Sequence, residues 1–146
     1  MALFELMTAL KKLLKAVVDS STNKPFFDQV WFGMPHKIPM GSSCVCILEI
    51  TNEPTFYYTT CPTNTQSDVD IAITILRKGD VEIAHSNLYK VTDAVKELLY
   101  SNDTISKTCI AAMIKNIEYG DISMAEKKYI ATSARITLKC RLQNIM

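Results

Sequence analysis

The chain has 146 residues, 48% of them hydrophobic, and a formal net charge of +1 from sixteen basic and fifteen acidic residues. A chain of this length buries roughly two-thirds of the surface its unfolded form exposes, so one core suffices and residues 1–146 read as a single domain. Apolar residues occur throughout, which excludes a disordered or low-complexity protein, and the balanced charge supplies no general attraction to a nucleic-acid backbone.

Residues 2–19 place Leu3, Leu6, Met7, Leu10, Leu13, Leu14, Val17 and Val18 at three- and four-residue spacings, with lysines and Glu5 between them. That period predicts an amphipathic helix. The segment has neither the early positive charge nor the unbroken apolar stretch of a secretory signal, so no export is expected. The short polar residues 19–24 and Pro25 end the helix, and a connection follows through Trp31, Gly33, Pro35 and Pro39.

Residues 43–51 form a nearly continuous apolar, β-branched run, which predicts a central strand covered on both faces. Residues 52–67 are rich in threonine and hold Pro54 and Pro62 around Phe56, Tyr57 and Tyr58. That composition favours an extended arm or hairpin. Its residues Pro54, Phe56, Tyr57 and Tyr58 form a candidate subunit contact, or else the aromatics cover their own core.

Val69, Ile71, Ile73 and Ile75 alternate across residues 68–78 before Gly79-Asp80, the period of a strand that ends in a turn. Ser86 is placed to cap a helix with a buried stripe of Leu88, Val91, Val95, Leu98 and Leu99, ending near Asn102. Residues 108–118 predict a strand and 119–123 a turn. In residues 128–142, Ile136, Leu138, Cys140 and Leu142 alternate with basic residues, and the two strands pair as a hairpin. The whole predicts an α+β fold: a mainly antiparallel sheet with an N-terminal and a central helix packed on one face, plus an extended arm.

Catalytic patterns are missing. The four glycines are isolated and build no phosphate-binding loop, and His36 and His85 belong to no metal-ligand spacing. Five cysteines, Cys44, Cys46, Cys61, Cys109 and Cys140, sit mostly among apolar neighbours, which suits buried free thiols in a reducing compartment better than a disulfide framework. Cys61 with His36 or His85 is an arrangement that a fold can assemble without a local motif. Asp68 and Asp70 share a strand face, read as solvated carboxylates in the absence of a third. Arg135, Lys139 and Arg141 likewise share a face, either a basic patch or an ordinary solvated one. No cofactor, metal site or catalytic residue is expected, nor a membrane span, since no run of about eighteen apolar residues occurs.

Over most of its length the chain resembles the small tail terminator and tail completion proteins of tailed bacteriophages. The resemblance rests on DIAITILRKG at residues 70–79, followed by NLYKVTDAVKELL at 87–99, and on the closing ARITLKCRL at 134–142. It implies a virion structural protein rather than an enzyme. Such a protein assembles in the host cytoplasm as a homo-oligomeric, commonly hexameric ring that caps the tail tube, meets a neck or connector protein, and lets DNA pass through its lumen. A head-tail connector or neck ring is the alternative within that class, and a small cytosolic binding protein or thiol enzyme is the alternative outside it.

Overall fold

The computed structural model describes residues 2–19, 23–33, 44–52, 55–57, 64–78, 81–124 and 129–145. Helix α1 (Ala2–Lys15) forms where the three- and four-residue spacing predicts it. Leu6, Leu10 and Leu14 on its inner stripe are completely buried, each contributing about 2 kcal/mol from removal of apolar surface. The helix stops four residues short of Asp19. The chain turns back there, with the Phe26 amide donating to the Val17 carbonyl and an isolated bridge joining Val18 to Pro25. Asn23 takes the left-handed conformation (φ 59°) that this tight reversal requires.

The connection after Pro25 contains a strand that the sequence pattern did not reveal. β1 (Gln29–Phe32) runs parallel to β2 (Cys44–Asn52), with Trp31 beside Ile47. β2 is therefore one strand in from the sheet edge, not central. Its first five residues are buried and its last four exposed, so the apolar run is covered on both faces for only half its length.

β3 (Thr55–Tyr57) and the long β4 (Asn64–Lys78) form the hairpin expected of the arm, Phe56 pairing with Gln66 and Tyr57 with Thr65. Pro54 and Tyr58 lie outside the described residues. β4 begins four residues earlier than its apolar alternation suggests, because the polar backbone of residues 64–67 is recruited as a strand once β3 and β6 (Tyr129–Ile145) flank it.

Helix α2 (Val81–Ser101) starts five residues before Ser86, which is an exposed interior position and not the cap. Its stripe of Leu88, Val91, Val95 and Leu99 is buried as the period requires. Thr92 is fully buried within it, its hydroxyl donating to the Leu88 carbonyl at 2.8 Å. β5 (Ala111–Met124) continues through the predicted turn at residues 119–123, where Gly120 pairs with Ser133. β5 and β6 do pair antiparallel, and their pairing extends as far as Met124 opposite Tyr129.

The strands join in one mixed sheet, β1-β2-β4-β6-β5, with β3 on the extension of β4. Among the described strands, β1–β2 is the one parallel pairing. Both helices cover one face, where Leu6, Leu10, Leu14, Leu88, Val91 and Val95 pack on Cys44, Cys46, Leu48, Val69, Ile71, Ile73, Ile75, Ile136 and Leu138. This is the predicted α+β architecture. Among the described residues, the opposite face carries a small apolar cluster of Val45, Ile47, Leu76 and Trp31.

Candidate functional site: the open face and the two sheet edges

Strand alternation puts Asp68 and Asp70 of β4 on the open face, beside Arg141 and Lys139 of β6 in register. The two features that the sequence offers separately, an acidic pair and a basic row, are therefore partners. Asp68 is buried and accepts two hydrogen bonds from Arg141, from Nε at 2.8 Å and from Nη2 at 3.1 Å. Lys139 approaches the same carboxylate at 3.5 Å, and Lys115, at a bulge in β5, approaches Asp70 at 3.6 Å. The Arg141 hydrogen bonds hold the Asp68 carboxyl below its ordinary range, reinforced by the charges of Arg141 and Lys139 and opposed by desolvation.

Arg135 shares this face but stands apart, opposite Glu118 in register, and makes no ion pair among the described residues. The structure brings Lys139 and Arg141 together around one carboxylate and leaves Arg135 outside that group. The face offers locally balanced charge, which suits contact with solvent or a sliding polyanion more than tight retention of phosphate.

The thiols give little chemistry on the helix-covered face. Cys44 and Cys46 point the same way, as their spacing requires, and both are buried in the core. Burial pushes the Cys44 thiol up to about 11 despite the opposing pull of Arg77, and burial raises Cys46 as well. His85 is half-buried and lies beside Tyr89, ring centroids 6.1 Å apart. Cys61 and His36 fall outside the described residues. Among the described residues no three His, Cys, Asp or Glu side chains gather as a metal site, and no helix is long and apolar enough to cross a membrane.

Two surfaces at opposite edges of the sheet, an apolar groove and an unpaired strand, were not singled out by sequence. At the β1–β2 edge, Leu3, Phe4, Met7, Phe32 and Ile50 line an open groove of about 680 Å³. Phe4 is 70% exposed and Phe32 is 50% exposed, with Lys11 Nζ held 4.6 Å over the Phe32 ring. At the other edge β5 has no strand partner on its outer side among the described elements. Ile110 and Met113 are exposed at its start, beside Lys139 and Arg141, while Tyr119 stands farther along on the helix-covered face, its ring edge-on to Tyr89 at 5.7 Å; an unpaired edge of this length offers backbone donors and acceptors to another chain.

Phe4 had a sequence signal of its own, because it falls off the stripe that the leucines of α1 define. Met113 had none, since exposure of an edge residue depends on strand order. Comparison of the chain with protein-family models finds no match, and neither does a search of curated proteins.

Proposed function

We propose that the protein is a ring-forming structural subunit of a tailed-phage virion, a tail terminator that closes the end of the tail tube and joins it to the neck. The observation that carries this reading is the pair of unlike surfaces on one subunit, an apolar groove at one sheet edge and an unpaired strand at the other. A ring is built by a heterologous interface, in which one surface of each subunit meets a different surface of the next. The Phe4–Phe32 groove and the β5 edge are two such surfaces, set at opposite ends of the strand order.

The fold supports the same reading through the elements that carry the sequence resemblance: β4, α2 and β6 form the centre of the domain, with both helices on one face. In this role the protein has no catalytic duty. Its partners are further copies of itself, the tail tube protein and a neck or connector protein, and DNA passes through the lumen with only transient contacts. The pairing of Lys139 and Arg141 with Asp68, and of Lys115 with Asp70, fits that last requirement by offsetting most of the positive charge, since a strongly basic lining would retard the passing strand.

Native mass by light scattering across concentration, with negative-stain imaging, tests the proposal, alone and with purified tail-tube polymer as template. Annular oligomers, or saturable caps on tube ends, are expected. A chain that stays monomeric in solution and ignores the tube ends refutes the assignment.

A further inference from the structure

Past the end of β1, β2 becomes an edge strand in its own right. The β1–β2 ladder stops with Phe32 opposite Leu48, where the Gly33 amide donates to the Leu48 carbonyl at 2.9 Å. Residues 49–52 continue β2 beyond that point, all of them exposed, with β4 on their inner side and no described strand on their outer side. Alternation sends Glu49 to the open face and Ile50 to the helix-covered face, where Ile50 lines the groove with Phe4. Glu49 makes no ion pair among the described residues.

The start of the β5 edge carries the complementary residues in the same alternation. Ile114 is half-buried opposite Leu138 and faces the helices. Lys115, at the bulge, is exposed on the open face, its Nζ 3.6 Å from Asp70. Asp68, Asp70, Lys139 and Arg141 already balance one another, so Lys115 leaves this group with one positive charge over.

We propose that residues 49–51 of one copy of the chain lie antiparallel along residues 113–115 of the next, with Glu49 opposite Lys115 and Ile50 opposite Ile114. This rests on the ring reading above and names the strands that meet in its interface. The direction follows from the sheet. Three antiparallel pairings lead from β2 through β4 and β6 to β5, so β2 and β5 run in opposite senses. A ring rotation that continues the sheet into the next subunit preserves that relation.

The register follows from the faces. A slip of one residue turns Ile50 to the open face and Glu49 to the apolar one. A slip of two toward the start of β5 sets Glu49 against Met113 and Ile50 against the single methyl of Ala112. A slip of two the other way sets Glu49 against Ile117, which the bulge turns toward the helices. The remaining register joins the opposite charges and the two isoleucines at once. Three residue pairs make a short strand addition, so the backbone bonds fix the alignment while the groove supplies the apolar burial.

The test is made on the full-length protein, by light scattering in solution and by negative-stain counts of capped tube ends, with urea unfolding as the check on the fold. Glu49→Lys and Lys115→Glu should each raise the assembly midpoint by about tenfold, because like charges then meet across the interface. The double variant exchanges the charges and should recover toward wild type. In a second measurement, protein carrying both Glu49→Cys and Lys115→Cys is assembled and then oxidised. Residues paired across strands lie within disulfide reach, so a ladder of covalent multimers is expected that neither single substitution gives. Unchanged midpoints in both charge variants, or no ladder from the doubly substituted protein, while wild type still forms rings or caps, overturn this pairing and leave the ring reading standing. Absence of rings and caps from wild type refutes the ring reading itself and this pairing with it.

Discussion

Replacing Phe4 by alanine separates assembly from folding. Phe4 is 70% exposed, so the monomer gains little from its ring, and the substitution should change monomer stability by no more than about 0.5 kcal/mol. If the groove is an interface, the exposed part of the ring is buried there. Complete burial of a phenylalanine contributes about 1.5–3 kcal/mol, so the lost portion is about 2 kcal/mol per contact, or about a 30-fold weaker association. The concentration at which half the protein assembles, read by light scattering, should rise accordingly. Tyr100→Ala is the control, because Tyr100 is almost as exposed, at 67%, but does not line the groove. A heterologous ring makes a further demand. When Phe4→Lys and Met113→Lys proteins are mixed, each retains one intact surface, so the mixture should yield pairs but no rings. An unchanged assembly midpoint for Phe4→Ala would falsify the role given to the groove.

Three further outcomes follow from the fold. Ile136 is fully buried on β6, paired with Ile73 and Ile117, so Ile136→Ala should cost about 2–5 kcal/mol in urea unfolding. A loss below about 1 kcal/mol would mean that the two-stranded centre is not the core. Thr92→Val removes a hydroxyl whose bond to the Leu88 carbonyl only duplicates a helical one, so stability should stay within about 1 kcal/mol of wild type by thermal melting. The folded-state pKa of Asp68 lies below its unfolded value, so its contribution is fully present above the unfolded pKa of about 4 and is lost as pH falls through the folded pKa. Asp68→Asn should therefore flatten the acid limb of the stability profile and lower stability at neutral pH, measured as urea midpoints across that range. An acid limb of unchanged steepness would show that Arg141 and Lys139 do not hold the carboxylate charged.

Local pattern carried the helices and the inner strands because burial on one face imposes a period that survives in one dimension. Leu6, Leu10 and Leu14 reveal the buried stripe of α1, and Ile71, Ile73 and Ile75 the inward face of β4. Boundaries were less legible. Ser86 has the chemistry of a cap but sits inside α2, and Gly120 has the chemistry of a turn but sits in β5. In both cases tertiary pairing or packing outweighed a preference of well under a few kcal/mol. β1 escaped notice because four residues are too few to show a period.

The candidate surfaces depended on the fold more heavily still. The sequence determines that Asp68 and Asp70 share a face and that Lys139 and Arg141 share a face, since alternation is a property of any strand. That the four residues form one charge-balanced group, although Asp68 and Arg141 are 73 positions apart, follows only from the register of β4 against β6. The same holds for the exposure of Met113. Residue identity sets what a side chain is able to do, whereas the order of strands and the cover of the helices decide which side chains meet and which remain open to a partner.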